Sequence, residues 1–256
     1  MPRKHILVTN DDGVHAPGLF ALVKAMRDLG DVSVVAPDKN WSACGHVKTM
    51  DRPILVRETA LEDGSFALMT DGAPSDCVAL SMMGLIEKPV DIVVTGINPN
   101  ANLGDDVTYS GTVTSAMEGV INGVPGIACS MQSPLDGIEP DFHAAAQYCK
   151  QVVEKVLAEG LPKDVVLSVN VPYQPAVKVK GFKVVRQGKR IYRDELLRYE
   201  GPKGKQMVWI GGSPPTAEDI KDSDFNAMMD GYVAVTPLQL NMTADHFIPK
   251  LKEWKL

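Results

Sequence analysis

The sequence predicts an α/β fold: a mostly parallel, open, Rossmann-like sheet flanked by helices, with extended C-terminal arms or hairpins. Through the first two-thirds of the chain, short runs rich in Val and Ile alternate with segments of helical periodicity. Gly or Pro punctuates most of the junctions, as at Gly18, Gly30, Pro37 and Gly96. At 256 residues, 45% of them hydrophobic, the chain is long enough to bury one large core.

Residues 5–9 (His-Ile-Leu-Val-Thr) read as a buried first strand. A helix is expected near 17–29, where Leu19, Leu22, Val23, Met26 and Leu29 recur at helical spacing. Residues 32–36 form a second strand, stopped by Pro37; 53–56 and 66–69 form two more, paired as a hairpin around Asp63-Gly64. There follow a helix over 73–83, a strand over 91–95, a helix over 111–122, a strand over 126–130, a helix over 142–158 and a strand over 165–169. From Pro172 the texture changes to short segments rich in Lys, Arg, Gly and Pro, with strand character at 206–210. Apolar strand character returns at 230–238. The expected division is a catalytic core over 1–171, an extended arm for oligomerisation over 172–230, and a C-terminal strand and tail over 231–256 that returns to the core.

Composition excludes several classes of function. The net charge is −6 with no basic block, against a surface for a nucleic-acid polymer. No segment approaches the ~20 continuous apolar residues of a membrane span. The basic start Met1-Pro2-Arg3-Lys4 reaches charged Asp11 too soon for a signal peptide, so a cytoplasmic protein is expected. Four cysteines without a C-x-x-C pair fit reduced thiols, and five scattered histidines give no zinc-hydrolase spacing.

The most informative residues are Asn10-Asp11-Asp12-Gly13, directly behind the first strand. Open α/β sheets bind ligands outside the carboxyl ends of their strands, and two adjacent carboxylates in a crevice call for a counter-charge such as a divalent cation. Asn, Asp and Gly are also turn formers, so the tetrapeptide alone fits a turn equally well. Further loops end strands in the same topological position: Ala36 to His46, which contains Ser42; Gly96 to Asp106, which contains Asn98; and Tyr109 to Val113, which opens a helix. The carboxylates of Asp11 and Asp12, the Ser42 hydroxyl and the Asn98 amide oxygen make a hard, oxygen-rich set suited to Mg²⁺ or Mn²⁺. Such an ion would lower the pKa of a bound water and offset phosphoryl charge. Ser110, Gly111 and Thr112 offer hydroxyls and N–H groups at a helix start as a phosphate cradle.

These motifs resemble the SurE (survival protein) family of nucleotidases: N-D-D-G near the N-terminus, A-P-D-x-x-x-S, G-I-N-x-x-x-N-L-G-D-D-V-x-Y-S-G-T-V and a late T-P-L, in order over nearly the whole chain. The resemblance implies a phosphatase needing one divalent ion per subunit, catalysis centred on Asp11 and Asp12, and metal ligands at Asp11, Asp12, Ser42 and Asn98. Implied substrates are nucleoside 5′- and 3′-monophosphates, with short polyphosphate for some members. Implied assembly is a homodimer or homotetramer with exchanged C-terminal arms. The chain departs from the family at Asn100, where Gly is usual, and Pro99 stiffens the same loop.

Other readings stand beside these. Asp105 and Asp106 could form a second metal pair, but fit better as residues that position the loop or face solvent. His15 and His46 could serve as acid or base, and Trp41 and Tyr109 could stack on a base, though solvent exposure or packing is the default for each. A haloacid-dehalogenase-like phosphatase would place its first acids at D-x-D spacing rather than adjacent. A nucleotide-binding module without turnover would need the cradle but not four oxygen ligands. A dinucleotide-dependent dehydrogenase would carry G-x-G-x-x-G after the first strand, absent here.

Overall fold

The computed structural model describes residues 3–132, 134, 138, 140–173 and 178–254. β1 (Lys4–Thr9) is buried from its second residue onward, as its continuous apolar run requires of a central parallel strand. On one flank it pairs in parallel with β2 (Gly30–Pro37). β2 in turn holds β4 (Phe66–Thr70), and the antiparallel β3 (Val56–Ala60) closes that edge. On its other flank lie β5 (Ile92–Asn98), β6 (Gly126–Met131) and β7 (Val165–Val171), all parallel. β11 (Val233–Gln239) runs antiparallel to β7 and carries the short outer strand β8 (Phe182–Val184). The nine-stranded order β3-β4-β2-β1-β5-β6-β7-β11-β8 reverses direction at β1. In doubly wound sheets the crevice at that reversal takes the ligand.

Helices cover the sheet. α1 (Pro17–Met26) packs on α4 (Phe142–Glu159), while α2 (Pro74–Leu80) packs on α3 (Gly111–Ile121). The largest buried cluster joins Ile6, Val8, Leu19, Leu22, Ile92 and Val94 to Cys149 and Val153 of α4.

Several boundaries differ from the sequence reading. The first helix ends at Met26, and its remaining turn tightens through Leu29 N–H to the Met26 carbonyl at 2.9 Å. The strand expected over 53–56 starts only at Val56 and runs to Ala60, because the Asp71 carboxylate takes the Leu55 N–H at 2.9 Å. The hairpin itself turns through Asp63-Gly64 as expected. The helix expected over 73–83 is α-helical to Leu80 and then widens into one π turn, Ser81–Leu85. There the Ser81 hydroxyl donates back to the Cys77 carbonyl at 2.7 Å. Asp230, Gly231 and Tyr232 precede the last strand, closing α5 (Asp224–Met229).

The stretch 172–230 is not one arm. β8 joins the main sheet and α5 packs on β11, so what leaves the sheet is the antiparallel hairpin of β9 (Arg190–Glu200) and β10 (Gln206–Ala217). Among the described residues, no helix is long and apolar enough to cross a membrane.

Candidate active site

Thr9 of β1 lies opposite Thr95 of β5. Asp11 and Asn98 therefore leave neighbouring strands at the same edge, at the reversal of the sheet. Asn10 makes a turn here and frees the acids at once. Its amide donates to the Gly13 carbonyl at 3.0 Å and accepts the Gly13 N–H at 3.2 Å, so neither Asp side chain is spent on closing the turn. The turn reading of the tetrapeptide is realised, and it leaves both carboxylates free of the turn.

Asp11 is 3% exposed. Its carboxylate accepts the Thr112 hydroxyl at 2.5 Å. Burial raises its pKa, and hydrogen bonding, that of the Thr112 hydroxyl foremost, opposes the rise. A Cβ at position 111 would stand 2.8 Å from the Asp11 Cβ, so Gly111 is what admits the carboxylate to the start of α3. Of the residues at the helix start expected to cradle phosphate, Thr112 spends its hydroxyl on Asp11. Ser110 caps the helix through Val113 N–H at 3.1 Å and lines the cavity described below.

Asp12 is different. One oxygen accepts the Asn40 amide at 3.3 Å, whereas the other is buried with no hydrogen-bond partner. Burial first, then the negative charge of Asp11, pushes the Asp12 pKa up to about 7. The same Asn40 amide accepts the Ser42 N–H at 2.7 Å, and the Trp41 N–H reaches the Asp11 carbonyl at 2.7 Å. The loop carrying Ser42 is thereby bound to both acids.

Asn98 ends β5, its amide nitrogen donating to the Asn100 carbonyl at 2.5 Å and leaving its oxygen as the acceptor. Gly96, at φ +115°, lets this strand end lie close to β6: a Cβ there would meet the Cys129 carbonyl at 2.1 Å. The loop beyond is tied down by Asn102, which donates to Ser130 Oγ at 2.8 Å and, through its backbone N–H, to Asn170 Oδ1 at 2.8 Å.

Asp11, Ser42, Asn98 and Ser110 share one cavity of about 660 Å³, whose walls also include Tyr109, Asp106, Arg190, Phe225, Met228 and Met229. Among the described residues no group of three His, Cys, Asp or Glu side chains is gathered around a metal position; Asp11 lines the cavity with the Asn98 amide and the Ser42 hydroxyl, and Asp12 is not among its lining residues. A buried, unpartnered carboxylate oxygen beside a second carboxylate suits a hard cation.

Asp105 and Asp106 hold structure together: Asp106 accepts Arg190 Nε at 2.6 Å and the Tyr192 hydroxyl at 2.8 Å, and Asp105 accepts the Arg190 N–H at 2.9 Å. His46 pairs with Glu118 at 3.1 Å, His15 is exposed, and Trp41 lies under Lys39. The sequence reading did not single out Asn40, Asn102, Asn170 or Arg190. A signal existed for Asn170, a polar residue interrupting the apolar Val169 to Val171 run; Asn40 and Arg190 carry none.

A doubly wound sheet with two carboxylates and an amide at its reversal defines an α/β protein with an oxygen-donor site of the kind hard cations suit. Residues 6–194 match the family described as Survival protein SurE. The chain belongs to that family. It is 44% identical over 251 residues to the 5′-nucleotidase SurE of Chloroflexus aggregans, covering 98% of this chain and 99% of the relative. It is 45% identical over 249 residues to that of Herpetosiphon aurantiacus, covering 96% of each. The crystal structure of SurE protein from Aquifex aeolicus superposes with a TM-score of 0.82 at 40% identity, over 98% of this chain and all of that one.

Proposed function

We propose that this chain is a divalent-metal-dependent 5′-nucleotidase that releases phosphate from nucleoside monophosphates by attack of water. Its relatives carry that name across nearly their whole length. The observation that carries the site reading is the orphaned, buried Oδ2 of Asp12 next to the fixed carboxylate of Asp11. Asp11, Asp12, Ser42 and Asn98 would hold the ion; Mg²⁺ and Mn²⁺ match an all-oxygen donor set. When bound, it supplies Lewis-acid polarisation of the phosphoryl group and a more acidic water.

The chain's own residues do the positioning. Asp11 and Asp12 are adjacent rather than at D-x-D spacing, which counts against the aspartyl-phosphate rival. Asn98 and Ser110 line the cavity within reach of a phosphoryl group placed beside Asp11.

Self-association through the β9–β10 hairpin belongs to the same reading. A two-stranded sheet is marginal alone, and this one exposes Leu196, Tyr199, Trp209 and Ile210. A cytoplasmic location is supported by four free cysteines.

The test is phosphate release from 5′-AMP by metal-stripped protein, with and without Mn²⁺ or Mg²⁺, beside Asp11→Asn. Activity that returns with metal and is lost in the variant supports the reading. No release from AMP or an aryl phosphate under either metal would sink it and favour a binding module.

A further inference from the structure

The row of residues that crosses the sheet from Asn98 is polar where its surroundings are apolar. Asn98 of β5 pairs in register with Ser130 of β6, and Ser130 with Asn170 of β7. Ser130 and Asn170 are buried, and Asn170 interrupts the apolar run from Val169 to Val171. Polar side chains inside a sheet cost stability unless they are hydrogen-bonded. Here the partner is the loop that follows Asn98. The Asn170 amide takes both backbone groups of Asn102: its oxygen accepts the Asn102 N–H at 2.8 Å, and its nitrogen donates to the Asn102 carbonyl at 3.2 Å. One side chain thus stands where the peptide group of a neighbouring strand would stand. The Asn170 nitrogen also donates to Ser168 Oγ at 3.1 Å, which fixes the orientation of the amide. The Asn102 side chain donates in turn to Ser130 Oγ at 2.8 Å.

The clasp on Asn102 bears on Asn98 through the loop between them. The Asn98 amide nitrogen donates to the Asn100 carbonyl, which leaves its oxygen as the acceptor, and Asn98 lines the cavity. The place of that carbonyl depends on the two ends of the loop. One end is the close of β5 and the other is Asn102. Pro99, between them, has a fixed φ, so the segment has little slack. A shift of Asn102 therefore moves the Asn100 carbonyl and turns the Asn98 amide with it.

We propose that Asn170 is a positioning residue for the metal: through Asn102 and Asn100 it sets the direction of the Asn98 amide oxygen toward an ion held with Asp11, Asp12 and Ser42. This rests on the divalent-metal reading of that site. It gives a buried amide of β7 a part in metal affinity, although Asn170 does not line the cavity.

The experiment uses the full-length protein with Asn170→Val, Ser130→Ala and, as a control, Val169→Ala. Val169 is as buried as Asn170 on the same strand, but its apolar side chain cannot bond the loop. The readouts are Mn²⁺ affinity by calorimetric titration, Tm of the metal-free protein, and hydrogen exchange at the Asn102 N–H of the metal-free protein. Asn170→Val should weaken Mn²⁺ binding about tenfold or more and speed exchange at Asn102. Ser130→Ala leaves the two bonds to the Asn102 backbone in place and should weaken Mn²⁺ binding by a smaller factor. At saturating Mn²⁺, kcat and KM for 5′-AMP should match those of the parent in both variants. Val169→Ala should lower Tm and leave Mn²⁺ affinity unchanged. Parent-like Mn²⁺ affinity in Asn170→Val, or an equal loss in Val169→Ala, would overturn the proposal and leave Asn170 a residue of the fold alone. If Asn170→Val does not fold, parent-like affinity in Ser130→Ala overturns it instead. Failure of the metal reading shows separately, as a parent that binds no Mn²⁺ or an Asp11→Asn variant that binds it equally well, and removes the proposal with it.

Discussion

The Thr112 hydroxyl donates to the Asp11 carboxylate at 2.5 Å, joining two residues 101 positions apart in sequence. One belongs to the turn behind β1, the other to the first turn of α3, and the bond holds the acid that we propose as a metal ligand. Partners of this sort, one step removed from a metal, typically contribute 10–100-fold in affinity or activity. Thr112→Val keeps the shape and removes the donor. It should weaken Mn²⁺ binding roughly tenfold by calorimetric titration, while Thr112→Ser retains most of it.

Asn40 occupies the corresponding place for the second acid. A single amide spans Asp12 and the Ser42 N–H, so Asn40→Ala should loosen both donors together. Metal affinity is expected to fall about 10–100-fold, and phosphate release at low metal should fall with it. Raising the metal concentration should restore the rate. A rate that stays low at saturating metal would show instead that Asn40 acts on the substrate.

Gly111 carries a steric prediction. In Gly111→Ala the new methyl would lie 2.8 Å from Asp11 Cβ and 3.0 Å from Cys44 Sγ. Asp11 must move away from the helix start or the loop must shift. The cost in stability should be about 1–3 kcal/mol, as for other overpacked sites, measured by urea unfolding. Phosphate release should drop further than stability does, because the displaced group is the central carboxylate.

Much of this architecture was legible in the sequence because it rests on local chemistry. The apolar run Ile6 to Val8 can be buried only in a central strand, and Asp11, Asp12 and Asn98 follow strands whose burial is equally plain. Less legible was what depends on neighbours distant in the chain. The start of β3 is set by Asp71 capturing the Leu55 N–H. Thr112 opens a helix, and only the fold brings its hydroxyl to Asp11, a hundred residues earlier. Arg190 sits in a stretch whose lysines and arginines resemble any solvated arm, and only the fold brings it to Asp106.

Glu118 gives a pH prediction. It is buried on α3 and accepts His46 at 3.1 Å, Lys48 at 2.7 Å and Asn122 at 3.1 Å. The His46 hydrogen bond, with help from Lys48 and Asn122, holds its pKa down at about 2 against the opposing effect of burial. A carboxyl whose pKa is depressed on folding contributes stability that is complete above its unfolded value of 4.5 and is lost as pH falls toward 2. Because Lys48 and His46 are substantially exposed, the contribution is discounted to on the order of 1 kcal/mol. Glu118→Gln should therefore lower Tm at pH 7 and make it less sensitive to acid between pH 4.5 and 2. A variant with the same slope as the parent would show the pair to be inert.

The position of β11 bears on how the molecule is made. It lies between β7 and β8 and is the sole neighbour of β8 in the sheet. It is also the last strand among the described residues. Until synthesis reaches Val233–Gln239, the outer flank of β7 presents open backbone groups to any passing strand, and β8 has no ladder to join. The nascent chain thus carries an acid pair and a switch-point crevice on a sheet still open at its far side, and it must stay unaggregated from the completion of β7 at Val171 until β11 arrives at Val233.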